Sequence, residues 1–527
     1  MSFVSAAFLG FLAALLLLYY LLPRSLRKYQ WVLLLIGSLV FYAFSGPKYL
    51  IFMAATILST YGAARGIDAV WVKQDIWAKE HKALPREEKK AHKAKVTRRA
   101  KWILIACLLF NLGILAVIKY TDFVLENLNG IFGTEFALHH FILPLGISFY
   151  MFQSLGYVID VYRRKYAAER NIGKAALFTS FFPQVIQGPI SRFDDLSKTL
   201  FAEHRFDPQN FYYGMLRVAW GFFKKLVIAD RLAPVIVTLS AADKEYTGVY
   251  VLANVFFYAI QLYADFTGGI DITIGVAQMF GIEVTENFDR PYFSKDIAEY
   301  WRRWHITMGT WFKDYIFYPL SVSGWMLKLS KWSRAHLGAA LGKRIPVYLA
   351  TIVVWFATGV WHGAAWNFIV WGMLNCLVLL VSQEFTPLYR RFHNRFAFSN
   401  TKFWDGVQIF RTFWLMGFIR ILDVYRDVPR TFRMVGTVFS DPNWGALTDG
   451  SFLELGASAA DLIVVAAGAV LMFCVSLWKG RRPLFESINA KPVLVRGFFL
   501  WALILIVLVF GVYGIGFDAS KFIYNQF

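Results

Sequence analysis

Residues 354–372 read VWFATGVWHGAAWNFIVWG. This stretch is almost wholly apolar, is rich in Trp and Gly, and contains one ionisable side chain, His362. The apolar flanks predict a membrane environment, in which an ionisable group is expensive and by default marks a functional site. The glycines at 359, 363 and 372 predict close approach of helices or of a ligand to the backbone. The alternative is a histidine that only hydrogen-bonds a neighbouring helix.

Apolar runs of this kind recur along all 527 residues, of which 57% are hydrophobic and 17% charged. We therefore predict an all-α, polytopic membrane protein with roughly twelve transmembrane helices. The first run has no small-residue cleavage site and is expected to be a retained helix. The predicted spans are about 4–22, 31–45, 48–64, 102–119, 141–161, 213–236, 249–276, 346–361, 366–382, 403–422, 461–478 and 497–515.

The net charge of +20 would indicate nucleic acid binding in a soluble protein. In a membrane protein it instead indicates the positive-inside bias and attraction to anionic membrane lipid, so no nucleic acid partner is expected. Residues 65–101 have a net charge of +7 and predict a solvated, amphipathic cytoplasmic helix. That orientation places both termini on the extracytoplasmic side.

Two segments interrupt the pattern of spans. Between about 176 and 200, the stretch FPQVIQGPI (182–190) contains two prolines and a glycine, which predict a broken or re-entrant segment. Residues 284–346 are aromatic, basic and too polar to span, which predicts helices at or dipping into the membrane interface.

Two histidines are the strongest candidates for chemistry. His305 lies in the polar block WRRWH (301–305), and His362 lies in the apolar block quoted above. We expect them to approach a buried site from different sides, where a neutral imidazole can act as a general base near neutral pH. No further ligand occurs at metal-binding spacing, so no metal site is predicted.

Two carboxylates also occur at membrane depth, in the segment DFTGGID (265–271). Asp265 and Asp271 are candidates for binding a cation or for orienting a histidine. A structural role, by pairing with arginine or by capping a broken helix, is the alternative.

These blocks resemble, in their order along the chain, those of the membrane-bound O-acyltransferase family. The four carriers of the resemblance are FPQVIQGPI (182–190), DFTGG (265–269), WRRWH (301–305) and WHG (361–363). Within the family, the chain is most similar to the bacterial alginate O-acetyltransferase branch, which is related to the D-alanyl teichoic acid transferases. The resemblance implies a catalytic core over 1–425, built as a helical ring around a thinned centre. Residues 426–527 are expected to add transmembrane helices and an extracytoplasmic aromatic tail.

The resemblance also assigns expected roles to residues. It places the essential histidine at His362 and the second functional histidine at His305. Trp301, Arg302 and Arg303 are candidates for donor binding, although a basic interfacial face is also typical of a lipid anchor. Asn367, beside the His362 block, is expected to be structural or orienting.

The C-terminal residues 522–527 read FIYNQF. This pattern resembles the C-terminal motif of the small membrane peptide that accompanies D-alanyl transferases, in which the tyrosine is implicated as an acyl relay. Tyr524 is therefore a candidate relay, because a phenol activated by a base can attack a thioester. The alternative is an interfacial aromatic anchor.

The expected activity is transfer of an acyl group, most simply acetyl from acetyl-CoA, to an extracytoplasmic polysaccharide, as in alginate biosynthesis. No bound cofactor is expected. The expected partner is a secreted or membrane-tethered, esterase-type acetyltransferase, and the expected location is the bacterial inner membrane. Two alternatives remain at this point. One is D-alanyl transfer from a carrier protein to a cell-wall polymer, and the other is a transporter or flippase in which His362 relays protons.

Overall fold

The computed structural model describes residues 3–478 and 487–513. Almost all of these residues are helical, and the β-structure among them is one isolated antiparallel bridge between Phe288 and Trp304. The prediction of an all-α integral membrane protein is confirmed. The chain divides into two compact units: Met1–Phe211 with Val276–Val284, and Tyr212–Gly275 with Thr285–Phe527. This division does not test the predicted boundary at residue 425.

The first unit is built from apolar helices whose aromatic side chains interlock. Phe8, Phe41 and Phe182 pack against one another with ring centroids 5.6–6.4 Å apart. Its helices are α1 (Ala6–Leu21), α2 (Gln30–Ala43), α3 (Leu50–Glu80), α4 (Arg86–Phe132), α5 (Ile147–Tyr162), α6 (Ile172–Ser180), α7 (Phe182–Val185) and α8 (Phe193–Leu200).

The cationic segment 65–101 does not form a separate helix. Instead α3 and α4 extend through it and are separated by residues 81–85. Helix α4 has 47 residues, or about 70 Å of helix, whereas a bilayer core is about 30 Å thick. Its charged first half therefore projects beyond the membrane. The predicted break at 182–190 is confirmed, since α7 has four residues before the chain leaves the helix.

The second unit contains the remaining helices and two π-helical turns, Phe223–Ala229 and Lys313–Phe317. The helices that lie wholly or mostly in it are α9 (Pro208–Phe222), α10 (Asp230–Ser240), α11 (Val249–Met279), α12 (Ile297–Arg303), α13 (Ile306–Phe312), α14 (Tyr318–Ser321), α15 (Gly324–His362), α16 (Trp366–Glu384), α17 (Thr386–Arg395), α18 (Lys402–Arg420), α19 (Leu422–Tyr425), α20 (Val428–Ser440), α21 (Ala459–Leu477) and α22 (Val493–Phe510).

Within the described residues, seven helices are long and apolar enough to cross a membrane. They are Pro47–Glu80, Arg86–Phe132, Val249–Met279, Gly324–His362, Trp366–Glu384, Ala459–Leu477 and Val493–Phe510. Helix α1 is apolar but shorter. The count of twelve spans and the orientation of the termini therefore stay predictions.

Close packing of α15 against α16 positions the histidine block. Helix α15 is broken at Gly338, where φ is +82°, so the parts of the helix before and after this residue have separate directions. A Cβ atom on Gly372 would lie 2.6 Å from the carbonyl oxygen of Trp355 and 3.1 Å from the Cα of Gly359. The predicted close approach at these glycines is confirmed, and it brings the end of α15 against α16.

Candidate active site

His362 is the last residue of α15 and is 4% exposed. Its imidazole meets the indole of Trp371 on α16 nearly edge-on, with ring centroids 4.5 Å apart. Phe368, one turn earlier on α16, lies parallel to it at 6.5 Å. The glycine contacts between the two helices allow this approach. The imidazole consequently lies against aromatic rings of α16.

His305 is fully buried and has a left-handed backbone, with φ +47°. The residues on either side are fixed by backbone hydrogen bonds to the segment 287–289. The Ile306 N–H donates to the Asn287 carbonyl (2.9 Å), and the Asp289 N–H donates to the Arg303 carbonyl (2.9 Å). A left-handed conformation costs a residue other than glycine roughly 1–2 kcal/mol. Such strain is concentrated at functional sites, where the surrounding structure maintains it.

The tautomer of His305 follows from its neighbour Asn287. The Thr307 N–H and the Thr307 hydroxyl both donate to the Asn287 side-chain oxygen, at 3.0 and 2.9 Å. A backbone N–H can only donate, so this atom of the amide is the oxygen. His305 Nδ1 lies 3.2 Å from the same oxygen and must therefore carry the proton. The neutral imidazole is protonated on Nδ1, and its Nε2 is the atom with the lone pair.

His305 lies outside the candidate membrane-spanning helices. Burial, and secondly the nearby guanidinium of Arg420, lower the pKa of His305 to about 3. The side chain is therefore neutral at physiological pH. Its ring contacts Phe266 of α11 at 5.0 Å.

One indole connects the two histidines. Trp361 lies beside His362, with centroids 5.1 Å apart, and reaches His305 at 6.3 Å. Both imidazoles therefore belong to one aromatic centre within the second unit. The two blocks of sequence from which they come are more than fifty residues apart.

Arg420, at the end of α18, was not among the residues singled out from the sequence. Its guanidinium lies over the rings of Trp301 (5.5 Å), Trp304 (5.2 Å) and Trp371 (4.7 Å). It also forms an ion pair of 3.2 Å with the buried carboxylate of Asp423. Trp301 and Trp304 come from the His305 block, and Trp371 packs on His362. A buried cation in contact with aromatic faces stabilises their arrangement by about 2 kcal/mol or more where it is desolvated.

Asp265 and Asp271 form a separate, ion-paired network with α9 and the π-helical turn that follows it. Asp271 accepts from Lys224 (2.5 Å) and Arg217 (3.1 Å), and Asp265 pairs with Lys225 at 2.5 Å. All five side chains are buried. Pairing of these carboxylates with arginine is the structural alternative given above. The structure shows such a pair and adds two lysines to it.

The other predicted site residues have different surroundings. The Trp301 indole N–H donates to Asn375 (3.2 Å), and the Asn367 side chain donates to the carbonyl of Leu422 (3.2 Å). Arg303 pairs with Glu299 at 2.7 Å, and Arg302 is exposed. Tyr524 lies outside the described residues. Among the residues that the structure describes, no group of His, Cys, Asp and Glu is arranged to hold a metal ion.

The fold and the centre define a polytopic membrane protein with two buried histidines in a shared aromatic environment. The model of the membrane-bound O-acyltransferase family matches residues 167–422, a range that includes both histidines and Arg420. The chain belongs to the membrane-bound O-acyltransferase family.

Three relatives illustrate the similarity. A probable alginate O-acetylase of Pseudomonas putida is 31% identical over 94% of this chain and 91% of its own length. One from Azotobacter vinelandii is 36% identical over 71% of this chain and 66% of its own length. A peptidoglycan O-acetyltransferase of Helicobacter pylori is 31% identical over 68% of this chain. The chain thus spans about two thirds of the length of the latter two relatives, since the match also covers 66% of the H. pylori protein.

Proposed function

We propose that the protein transfers an acetyl group from cytosolic acetyl-CoA, through the membrane, to hydroxyl groups of an extracytoplasmic polysaccharide. The observation that carries this proposal is the single aromatic centre in which Trp361 contacts both His362 and His305. Imidazoles are the side chains best suited to move protons near neutral pH. A buried and largely apolar surrounding also excludes the water that would hydrolyse a thioester.

In this proposal His362 is the general base. It removes the proton from an attacking hydroxyl as that oxygen bonds to the thioester carbonyl carbon. The carbon–sulfur bond then breaks, and the coenzyme leaves as a thiol after taking up a proton. His305 carries its proton on Nδ1, which makes Nε2 an acceptor atom, so we assign this side chain to orienting a donor group of the substrate rather than to polarising a carbonyl.

Tyr524 is the proposed first acceptor. Its hydroxyl would take the acetyl group as an aryl ester, a reactive ester that can pass the group to the next alcohol. A serine of an esterase-type partner on the outer side is the proposed next acceptor, before the polysaccharide. Trp301, Arg302 and Arg303 are proposed to contact the donor, because they form the last turn of α12, which ends two residues before His305.

The names of the relatives favour acetyl over D-alanyl as the transferred group. Two of the three are alginate O-acetylases and one is a peptidoglycan O-acetyltransferase. Each name describes O-acetylation of a polysaccharide, so this class is the proposed acceptor. The proposed location is the bacterial inner membrane, with both termini outside.

The donor is tested with the full chain reconstituted in liposomes. Labelled acetyl-CoA and a D-alanyl carrier protein are supplied in parallel, and labelled product is measured on the protein and on added polysaccharide with the partner present. We expect label from acetyl-CoA in the native protein and a strong loss in His362→Ala. Label from the carrier protein alone would replace acetyl by D-alanyl. Equal acetyl transfer by His362→Ala would exclude this histidine as the base.

The relay is tested by trapping. The protein is incubated with labelled acetyl-CoA without an acceptor, and the labelled peptide is identified by mass spectrometry. We expect an ester on Tyr524 and none in Tyr524→Phe. Full turnover by Tyr524→Phe would show that the acceptor attacks the thioester directly. If acyl transfer stops in His362→Ala while the polysaccharide is still exported, the protein is not a proton-coupled transporter or flippase.

A further inference from the structure

An apolar cavity of about 540 Å³ lies within the second unit, away from the histidines. Its walls come from α11, α18 and α21 and from the loop after α11. Phe256, Phe410 and Phe473 line it and are themselves exposed at the protein surface. The volume is within the roughly 300–1,000 Å³ of typical ligand pockets. The cavity is therefore large enough for a ligand and opens at the protein surface beside these phenylalanines.

The surface at this opening faces lipid. Helices α11 and α21 are candidate membrane spans, and most of the apolar stretch of α21 is exposed. Gly406 and Trp414 of α18 both line the cavity and are eight residues apart, which is about 12 Å along a helix. One leaflet of a hydrocarbon core about 30 Å thick is about 15 Å deep. The cavity thus has the polarity and the length of a single acyl chain in one leaflet.

A cation lies at one end. Phe293 stacks on Phe473 at 5.3 Å, and Lys295 pairs with Asp405 at 2.7 Å. These contacts place the loop that begins with Arg290 beside the first turn of α18 and the last turns of α21. Arg290, a lining residue, pairs at 3.2 Å with the exposed Asp289. An exposed ion pair is weak, so this guanidinium can also bind a phosphate through two hydrogen bonds.

We propose that the cavity binds one phospholipid, with an acyl chain between α11, α18 and α21 and the phosphate against Arg290. The inner wall of the cavity connects a bound lipid to the aromatic centre. Tyr263 and Tyr292 line it, and their rings contact Trp304 at 6.4 and 6.0 Å. Trp304 precedes His305, and the Arg420 guanidinium lies over the Trp304 ring. A bound acyl chain therefore packs against the tyrosine rings that contact Trp304, next to His305 in the aromatic centre.

A filling substitution tests the chain site. A Cβ on Gly406 would meet no atom within 4 Å, so Gly406→Leu fills the cavity without disturbing the helix. Gly436 on α20 is equally open and does not line the cavity, so Gly436→Leu is the matched control. The full-length proteins are purified in mild detergent, and co-purified phospholipid is measured by native mass spectrometry. We expect one phospholipid on the native protein and on Gly436→Leu, and about tenfold less on Gly406→Leu. A tenfold loss corresponds to about 1.4 kcal/mol of binding free energy.

The outcomes separate clearly. Equal lipid on the native protein and Gly406→Leu, equal losses in both glycine variants, or detergent or free fatty acid alone on the native protein would each overturn the proposal. If Gly406→Leu does not fold, Ala469→Leu fills the same cavity from α21. Arg290→Gln tests the headgroup and is expected to lower occupancy several-fold, because a charge-assisted contact to phosphate is lost. Unchanged occupancy in Arg290→Gln would overturn the placement of the phosphate.

Discussion

Two buried polar regions of the second unit place ionisable groups among apolar helices, and they do so in opposite ways. In the ion-paired network, Asp271 is matched by Lys224 and Arg217, and Asp265 is matched by Lys225. In the aromatic centre, the His362 ring lies against Trp371, the His305 ring lies near Trp361, and Arg420 pairs with Asp423. Charges that neutralise one another hold helices together. The imidazoles that lie among aromatic rings are the groups to which the proposed function assigns the chemistry.

The comparison makes its largest prediction at His362. Replacement by alanine is expected to reduce acyl transfer by about 10²- to 10⁴-fold, the usual contribution of a general base. His336, an exposed histidine of α15, is the matched control, and His336→Ala should keep full activity. Rates are compared per folded molecule, together with the melting temperature. Equal activity of the two variants would show that the aromatic centre is structural. The aromatic centre and the ion-paired network would then not differ in function.

The network should respond in stability rather than in rate. Asp271→Asn leaves Lys224 and Arg217 without their shared carboxylate, and breaking a buried ion pair costs about 3–5 kcal/mol. Turnover per folded molecule is expected to remain close to native. Thermal unfolding in detergent measures the first effect, and Glu384→Gln, which removes one exposed pair with Arg344, is the control.

The double variant Asp271→Asn/Lys224→Met sharpens this test. It removes one charge of each sign, so it should recover part of the lost stability. A variant Asp271→Asn that stays fully stable but loses turnover would place this aspartate with the chemistry instead.

The sequence predicts some residues of these two regions and not others. The histidines stood out because an ionisable residue in an apolar run is rare, and Asp265 and Asp271 stood out for the same reason. Arg420 did not, because it ends an apolar run, where arginine is common. Its role depends on three indoles, two of which precede it by more than a hundred residues. Long-range ring contacts leave no periodic pattern in the chain.

The fold shows the same division. Apolar runs predicted the positions of most membrane helices, because hydrocarbon imposes a length and a composition on each of them. The polar extensions of α3 and α4 are predicted as a separate helix, because their charged composition differs from that of the apolar spans that they continue. The left-handed backbone of His305 was equally hidden, because it results from pairing with the segment 287–289.

A smaller effect is expected from the contact that aligns His362 with Trp371. Gly372→Ala would place a Cβ 2.6 Å from the Trp355 carbonyl oxygen, and overpacking of this kind costs about 1–3 kcal/mol. Because α15 must shift to relieve it, acyl transfer should fall as well. Gly436→Ala, whose Cβ meets no atom within 4 Å, should be neutral or slightly stabilising. Normal activity and stability of Gly372→Ala would show that the helices tolerate more separation than the structure implies.

The most specific effect concerns the protonation of His305. Burial and the Arg420 cation lower its pKa to about 3, whereas an unfolded histidine titrates near 6.5. Between these two values the unfolded chain binds one proton more, so stability rises with pH through this window and is flat above it with respect to this group. The slope is about 1.4 kcal/mol per pH unit for one proton. His305→Gln should lack this component, while His336→Gln, at an exposed histidine, should retain it. Unfolding measured from about pH 4 to pH 6.5 in the three proteins decides the point, because identical slopes would mean that His305 is not held neutral by the centre.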